Sequence, residues 1–510
     1  MERALRILQG GGPQVPLEDF GRPYDHPYFS QIFLGSVLGA IGYPDSLKSG
    51  NEDYSPEVLY LIPRVLMGII AVIDTFIIYK ICETRYSRRV AFTAAILFAV
   101  MPLSWLTRRL YIDPIQLPFI LLAVLFAVYM NKRNKSISSN LMPMSLLSGI
   151  FLGLAIFTKI PAVCMIPLVG YLILSGASTN KSKRSRTILA LWSFPVILIP
   201  LIWPGFAILN GQFDEWYSDI LWQAGREGGL LDTFNSILTM DPALVIVGVA
   251  GFTYAVIVKR DRFVFLWVIP FVILFSFFIG RMAITFWVPM IPAFCISAGI
   301  LIEGLTSLIR TGAKDKASLE SKISYYMGEG TPPKKKMARY VGRLSEMIFP
   351  IVLTVIVVIG LTGTITLITT NLNSSFFELY AFIVGHLPDS ENSINVTKTL
   401  LVGSAKLRSF YWIPEYVIYD GDRHNNFEYK ASPLKENFQN KKLIVLSDRG
   451  DLESYIENSP KDFAVHKSLY NDTREIAEFK DRGPLYDREK YPYTNMIENR
   501  GMGEIRVRGN

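Results

Sequence analysis

Long apolar runs, separated by short loops of which every second one is rich in Lys and Arg, follow one another through this 510-residue chain. Such runs are too long for core strands and too numerous for one signal peptide, and most approach the roughly 20 residues that cross a bilayer. The composition agrees, because only 19% of the residues are charged, against about a quarter in soluble proteins. The sequence therefore predicts a polytopic α-helical membrane protein of about ten spans.

The predicted spans lie near residues 59–80, 90–107, 114–130, 142–158, 161–176, 187–207, 241–258, 263–280, 282–305 and 346–370. Ten crossings place both termini on one face of the membrane. The apolar run 29–43 is short for a span, and counting it as one would move every basic loop outside. It therefore predicts an interfacial or re-entrant helix on the external surface.

The net charge of +8 comes from basic loops on one predicted face, the longest of them at 306–345. Cationic loops on the cytoplasmic side fix the orientation of membrane proteins, so this charge does not indicate a nucleic-acid partner. The pattern places residues 1–58 and 371–510 outside the cell, with the core at 59–305 in the plasma membrane and 346–370 as the last span. Strand-like stretches at 399–403 and 442–448, with a helical stretch at 450–458, predict a small external α/β domain for the tail.

Charged residues at the external ends of spans indicate function, because hydrocarbon penalises them unless something compensates. Asp25 and His26 precede the interfacial helix, either as a solvated pair or as an acid held at the membrane surface. Arg108, Arg109 and Asp113 lie between two spans, as a structural ion pair or as a cationic site for a lipid phosphate beside a carboxylate.

Two further cations lie at external junctions, Lys159 between two apolar runs and Arg281 at the start of a span. Lysine side chains near span ends often extend to the interface, which is the simpler interpretation of Lys159. Cations at three separate external junctions are more than this predicts, and a phosphate-bearing ligand would account for them together. The external loop 208–240 is acidic and aromatic, which suits either sugar binding or interfacial anchoring.

Four segments in order resemble the C-type glycosyltransferase superfamily, membrane enzymes that use polyprenyl-phosphate-linked sugars. Its branch of dolichyl-phosphate-mannose–protein mannosyltransferases and lipid A aminoarabinose transferases is the most similar. The segments are ILQGG with GRPYDHPYF within 7–29, the stretch from Pro63-Arg64 to SRRVAFTAAILFAVMPLSWLTRRLYIDP, GIFLGLAIFTK at 149–159, and GRMAITFWVPMIPA at 280–293. The resemblance covers roughly residues 1–305.

The resemblance implies inverting transfer of a sugar, such as the hexose mannose, from a polyprenyl-phosphate carrier in the membrane lipid to an external protein, lipid or glycan. The departing phosphate is anionic and requires cations, a role that the resemblance gives to Lys159, Arg281 and Arg109, with His26 beside them.

The same resemblance gives the acceptor side of the reaction to two carboxylates. Asp25 and Asp113 would orient or deprotonate the acceptor hydroxyl, or hold a divalent cation. Asp113 is the better match to the family motif. The family's first span and an Asp-Glu pair would lie upstream of Glu2, so we expect either an earlier start or a substitute carboxylate, Asp19 or Asp25.

Two other classes stay open on the sequence alone. A transporter or flippase of lipid-linked sugars would have ionisable residues near the midplane and internal repeats, whereas only Asp74 is deep and no repeat is evident. A catalytically inactive relative could use its external tail as a binding module.

Overall fold

The computed structural model describes residues 2–8, 10–13, 23–43, 56–133, 141–177, 182–225, 230–277, 284–326, 334–369, 378–379, 382, 399–402, 427–430, 442–448, 474–480 and 504–509. The helices are α1 (Glu2–Leu8), α2 (Phe29–Ala40), α3 (Pro56–Arg85), α4 (Arg88–Val100), α5 (Ile112–Arg133), α6 (Leu141–Thr158), α7 (Ile166–Ala177), α8 (Ser182–Leu198), α9 (Ile202–Leu209), α10 (Phe213–Ala224), α11 (Leu230–Met240), α12 (Pro242–Thr253), α13 (Arg262–Phe277), α14 (Ile291–Tyr326) and α15 (Lys334–Thr369). Short 3-10 helices cover Pro102–Arg108, Ile160–Met165 and Ile284–Met290, and a π-helical turn covers Tyr254–Val258.

By length and hydropathy, the described residues contain five helical segments that can each cross a membrane, or eight spans if each of three bent helix pairs counts as one. The two remaining predicted spans coincide with the shorter apolar helices Arg262–Phe277 and Pro350–Ile365. Each predicted span thus corresponds to an apolar helix or helix pair, while ten crossings stay a prediction. Helix α2 is shorter than a span, as predicted for 29–43.

Helices α5, α6 and α8 pack side by side, and so do α4, α12 and α14. Gly149 and Gly153 of α6 face α8 at close range, since a Cβ on either would overlap a backbone carbonyl of Trp192 or Pro195. Small residues permit this close approach, which is how membrane helices gain packing energy in the absence of water. Helix α6, whose last residue precedes Lys159, is therefore held closely against α8.

The chain divides into two compact units. One consists of Arg3–Ser36 and Arg64–Thr364 and contains the helical core. The other consists of Met1–Glu2, Val37–Pro63 and Ile365–Asn510.

The C-terminal part contains a five-stranded sheet in the order β2-β1-β3-β5-β4, formed by β1 (Thr399–Val402), β2 (Phe427–Lys430), β3 (Lys442–Asp448), β4 (Arg474–Lys480) and β5 (Glu504–Gly509). Strand β1 is parallel to β2 and β3, and β5 is antiparallel to β3 and β4. Strands β1 and β3 confirm the strand-like stretches predicted from the sequence. The predicted helix at 450–458 lies outside the described residues, and the external position of this domain stays a prediction.

Two fully buried aspartates in the helical core differ in their surroundings. Asp241 lies at the 114° bend between α11 and α12, and its carboxylate accepts hydrogen bonds from the backbone amides of Leu244 (2.9 Å) and Leu103 (3.0 Å). Asp74 of α3 is 0% exposed, and neither of its carboxylate oxygens has a hydrogen-bond partner among the described residues.

We expect Asp74→Val to raise the melting temperature of the purified protein, because it removes an uncompensated buried group that costs about 1–3 kcal/mol. The matched variant Asp241→Val should lower the melting temperature, since two buried amides lose their acceptor. Thermal unfolding of both variants in the same detergent checks this. A lower melting temperature for Asp74→Val would mean that this carboxyl is compensated after all.

Candidate active site

A buried ion pair between Asp113 and Lys159 forms the centre of the candidate site. The Lys159 Nζ lies 2.7 Å from Oδ1 and 3.0 Å from Oδ2 of Asp113, and the two residues are 5% and 4% exposed. Asp113 belongs to the first turn of α5, where the helix dipole favours a negative charge. Lys159 follows the last residue of α6 in extended conformation, and Pro161 keeps that helix from continuing.

The aromatic ring of Phe286 covers this ion pair. Phe286 belongs to the 3-10 helix Ile284–Met290, and the centroid of its ring lies 3.7 Å from the Lys159 Nζ. A cation over a ring face is stabilised by the ring's electrons, and the effect grows as water is excluded. The Lys159 ammonium therefore does not extend to the interface, which corrects the simpler interpretation of this residue as a solvated lysine.

The loop that carries Asp25 and His26 lies beside the ion pair. Asp25 forms an ion pair with Arg3 of α1 at 2.8 Å. His26 is within electrostatic range of Asp25, Lys159 and Asp113, so the structure brings four of the six predicted site residues together. Burial lowers the pKa of His26 below its usual value of about 6.5, and the nearby Asp25 opposes part of that shift. Burial therefore favours neutral imidazole, which can offer a phosphate one N–H but no charge.

Helix α10 and the residue before it, Gln212, hold this loop through three hydrogen bonds. Asp219 Oδ2 accepts from the backbone amide of Tyr24 at 2.8 Å, and Gln212 Oε1 accepts from the Tyr24 hydroxyl at 2.7 Å. Gln223 Nε2 donates to the carbonyl of Asp25 at 3.3 Å. Packing adds to these bonds, because Tyr24 lies in an aromatic cluster with Tyr28, Phe157, Trp203 and Trp216. The acidic and aromatic loop 208–240 thus contributes to the position of Asp25 and His26.

We expect Asp219→Ala to slow the sugar transfer that the resemblance implies about tenfold, because a buried Tyr24 amide left without its acceptor costs roughly 1–3 kcal/mol and the loop loses a fixed contact. Asp214→Ala, on the exposed side of the same helix, is the matched control and should retain full activity. Transfer rates at saturating donor check this. Equal rates for the two variants would show that Asp219 does not position the loop.

The arginines before Asp113 do not pair with it. Arg109 stacks on Trp105 at 4.5 Å and lies 5.4 Å from the Tyr111 ring, and Arg108 donates to the carbonyl of Ala99. Among the described residues, the ion pair of Asp113 is the one with Lys159, so the structure does not support the alternative in which Asp113 pairs with Arg108 or Arg109. A phosphate role for Arg109 stays a prediction, and Arg281 lies outside the described residues, as does Asp19.

The divalent-cation hypothesis has little support in the donor set. Within the part of the chain that the structure describes, no three metal-ligating side chains gather in one place. The Lys159 ammonium already contacts both carboxylate oxygens of Asp113. A divalent cation bound to Asp113 would be repelled by this ammonium. The described carboxylates therefore do not fit a divalent ion.

Three residues of the site were not indicated by the sequence. Arg3 contacts Asp25 and Phe286 contacts Lys159; Phe286 lies in the family-like segment 280–293, but nothing in the sequence singles out either residue. Asp219 is one of several acids in its loop, and only its position on the inner face of α10 separates it from the exposed Asp214.

Comparison with known proteins supports the predicted resemblance. Residues 56–203, which include Asp113 and Lys159, match the family model of the dolichyl-phosphate-mannose-protein mannosyltransferases. The crystal structure of ArnT from Cupriavidus metallidurans bound to undecaprenyl phosphate superposes with a TM-score of 0.56 at 11% identity, covering 99% of this chain and 92% of that one. The chain has the ArnT fold.

The apo form of the same ArnT gives a TM-score of 0.53 at 12% identity over the same shares of the two chains. No curated protein sequence matches this chain. The predicted resemblance is thus confirmed by the mannosyltransferase family model over residues 56–203, and the ArnT structure shows the same fold over nearly the whole chain.

Proposed function

We propose that this protein is an integral-membrane glycosyltransferase that moves a sugar from a polyprenyl-phosphate carrier to an acceptor on the external face. The observation that supports this most strongly is the buried Asp113–Lys159 pair beside Asp25 and His26. It lies inside the segment that matches the mannosyltransferase family, in a chain with the fold of a protein crystallised with undecaprenyl phosphate.

The chemistry of such a donor suits an ammonium that already has a carboxylate partner. A lipid phosphate can replace Asp113 at Lys159, exchanging one oxyanion for another in a site from which water is excluded. The exchange leaves the Asp113 carboxylate available for the acceptor. Binding of the donor would thereby prepare the base that the reaction needs.

The transfer itself is an in-line displacement. The acceptor oxygen forms a bond to the anomeric carbon, the bond between that carbon and the phosphate oxygen breaks, and the electron pair leaves with the phosphate. The hydroxyl proton passes to Asp113, with Asp25 as the second carboxylate at the acceptor. Attack opposite the leaving group inverts the anomeric centre. The leaving phosphate needs no proton, since Lys159, with Arg281 and Arg109, neutralises its charge.

We infer a hexose such as mannose as the sugar, because the matching family model is that of mannosyltransferases. The acceptor would be a protein, lipid or glycan outside the plasma membrane, on the side where the C-terminal domain is placed by the charge pattern.

A panel of labelled polyprenyl-phosphate sugars tests this proposal with the purified full chain. We expect one of the sugars to be released from its lipid, and the release to disappear in Asp113→Asn. Movement of intact labelled lipid across liposomes without release would favour a transporter. Binding of the lipid without release or movement would favour an inactive relative.

A further inference from the structure

The side chain of Gln116 in α5 donates hydrogen bonds to main-chain carbonyls at and just before Lys159. Its side-chain Nε2 lies 2.5 Å from the carbonyl oxygen of Lys159 and 2.9 Å from that of Ala155. Both partners are acceptors, so only the amino side of the carboxamide can face them. Gln116 is 0% exposed, which protects these hydrogen bonds from competition by water.

Lys159 is therefore held at both ends by one face of α5. Asp113 binds its ammonium, and Gln116, three residues further along the same helix, binds its carbonyl. Residues three apart on a helix lie on the same side, so the two contacts form one rigid support. Before the donor binds, the ammonium of this long, flexible lysine is in this way kept at a fixed place, and the Gln116 contact with the main chain does not depend on Asp113.

The hydrogen bonds of Gln116 are not needed to satisfy the end of α6. The Ala155 carbonyl also accepts from the Lys159 amide at 3.1 Å, and the Lys159 carbonyl accepts from the Ala162 amide at 3.2 Å. Gln116 moreover leaves its own Oε1 buried without a hydrogen-bond partner among the described residues. An apolar side chain would avoid that cost, so a purely structural role does not explain a glutamine here.

We propose that Gln116 is a positioning residue, which fixes the main chain at Lys159 so that the ammonium meets the donor phosphate. This inference rests on the proposed function, because it assumes that Lys159 binds a phosphate. It concerns a residue that does not itself touch the donor and acts through Lys159.

Binding of undecaprenyl phosphate to the purified full chain tests the inference. Gln116→Met introduces a side chain of nearly the same size that has no hydrogen-bond donor. We expect the affinity of this variant for the lipid to fall about tenfold, as for the loss of one or two buried hydrogen bonds. Its melting temperature without lipid should stay near that of the wild type, because both carbonyls keep a backbone donor. Asn131→Leu is the matched control, since it removes an amide hydrogen bond to Ser175 from the other end of α5, and its affinity should be unchanged.

A double variant separates positioning from general weakening. On the Lys159→Met background, Gln116→Met should cause no further loss of affinity, because its effect passes through Lys159. Gln116→Glu is a second variant of the same size. An ionised glutamate has no hydrogen-bond donor, so this variant should lose at least as much affinity for the lipid.

Wild-type affinity in Gln116→Met and Gln116→Glu, or additive losses in the double variant, would overturn the inference while leaving the proposed function intact. If the wild type itself failed to bind the lipid, the proposed function would fail instead.

Discussion

Replacement of Asp113 by Asn should reduce sugar transfer by about 10²–10⁴-fold, the usual contribution of a general base. Asparagine has nearly the same shape and can still accept a hydrogen bond from the Lys159 ammonium, but it cannot take the proton of the acceptor. Binding of undecaprenyl phosphate should persist or become tighter, because the carboxylate that competes for Lys159 is gone. Initial rates of label release, together with lipid titrations, measure the two effects separately.

Asp214→Asn is the matched control for this experiment, since it removes one exposed acid from α10 and should leave both quantities unchanged. A rate for Asp113→Asn within twofold of the wild type would remove Asp113 from the chemistry. A loss of lipid binding as large as the loss of rate would assign it to the donor instead.

Replacement of Lys159 by Met should weaken donor binding by roughly 10–100-fold, as expected for a lost charged hydrogen bond. It should also destabilise the protein by about 3–5 kcal/mol, because Asp113 then stays buried without its partner. The double variant Lys159→Met/Asp113→Asn should recover much of that stability but none of the donor affinity. Lipid titrations and thermal unfolding of both variants therefore distinguish a binding role from a structural one.

Lys159→Arg retains the positive charge and provides the control. We expect its affinity for the donor lipid to lie between that of Lys159→Met and that of the wild type. Unchanged donor affinity in Lys159→Met would show that this lysine is purely structural. The buried pair would then be an element of the fold, comparable to Asp241.

The helices of the core could be predicted from the sequence because hydrocarbon imposes a length and a composition on each of them. The same constraint indicated Asp113 and Lys159, each of which stands at the end of an apolar run. Their contact with one another was not predictable, since they are 46 residues apart and nothing in either segment shows that α5 and α6 are neighbours. The sequence therefore indicated that both residues serve one reaction, but not that they contact each other.

The support around the site depends on still more distant contacts. Tyr24 and Asp219 are 195 residues apart, and their hydrogen bond exists only because α10 packs on the loop before α2. Gln116 has an unremarkable place in an apolar run, and its role follows from the position of a carbonyl in another helix. Such contacts are set by tertiary packing, which local sequence patterns do not specify.

In the proposed reaction, the lipid phosphate takes the place of Asp113 at Lys159. A cryo-EM structure of the full chain with bound undecaprenyl phosphate tests it directly. We predict a phosphate oxygen within hydrogen-bond distance of the Lys159 Nζ and an Asp113 carboxylate moved away from its present 2.7 Å contact. A phosphate bound elsewhere, with the Asp113–Lys159 pair intact, would contradict the claim.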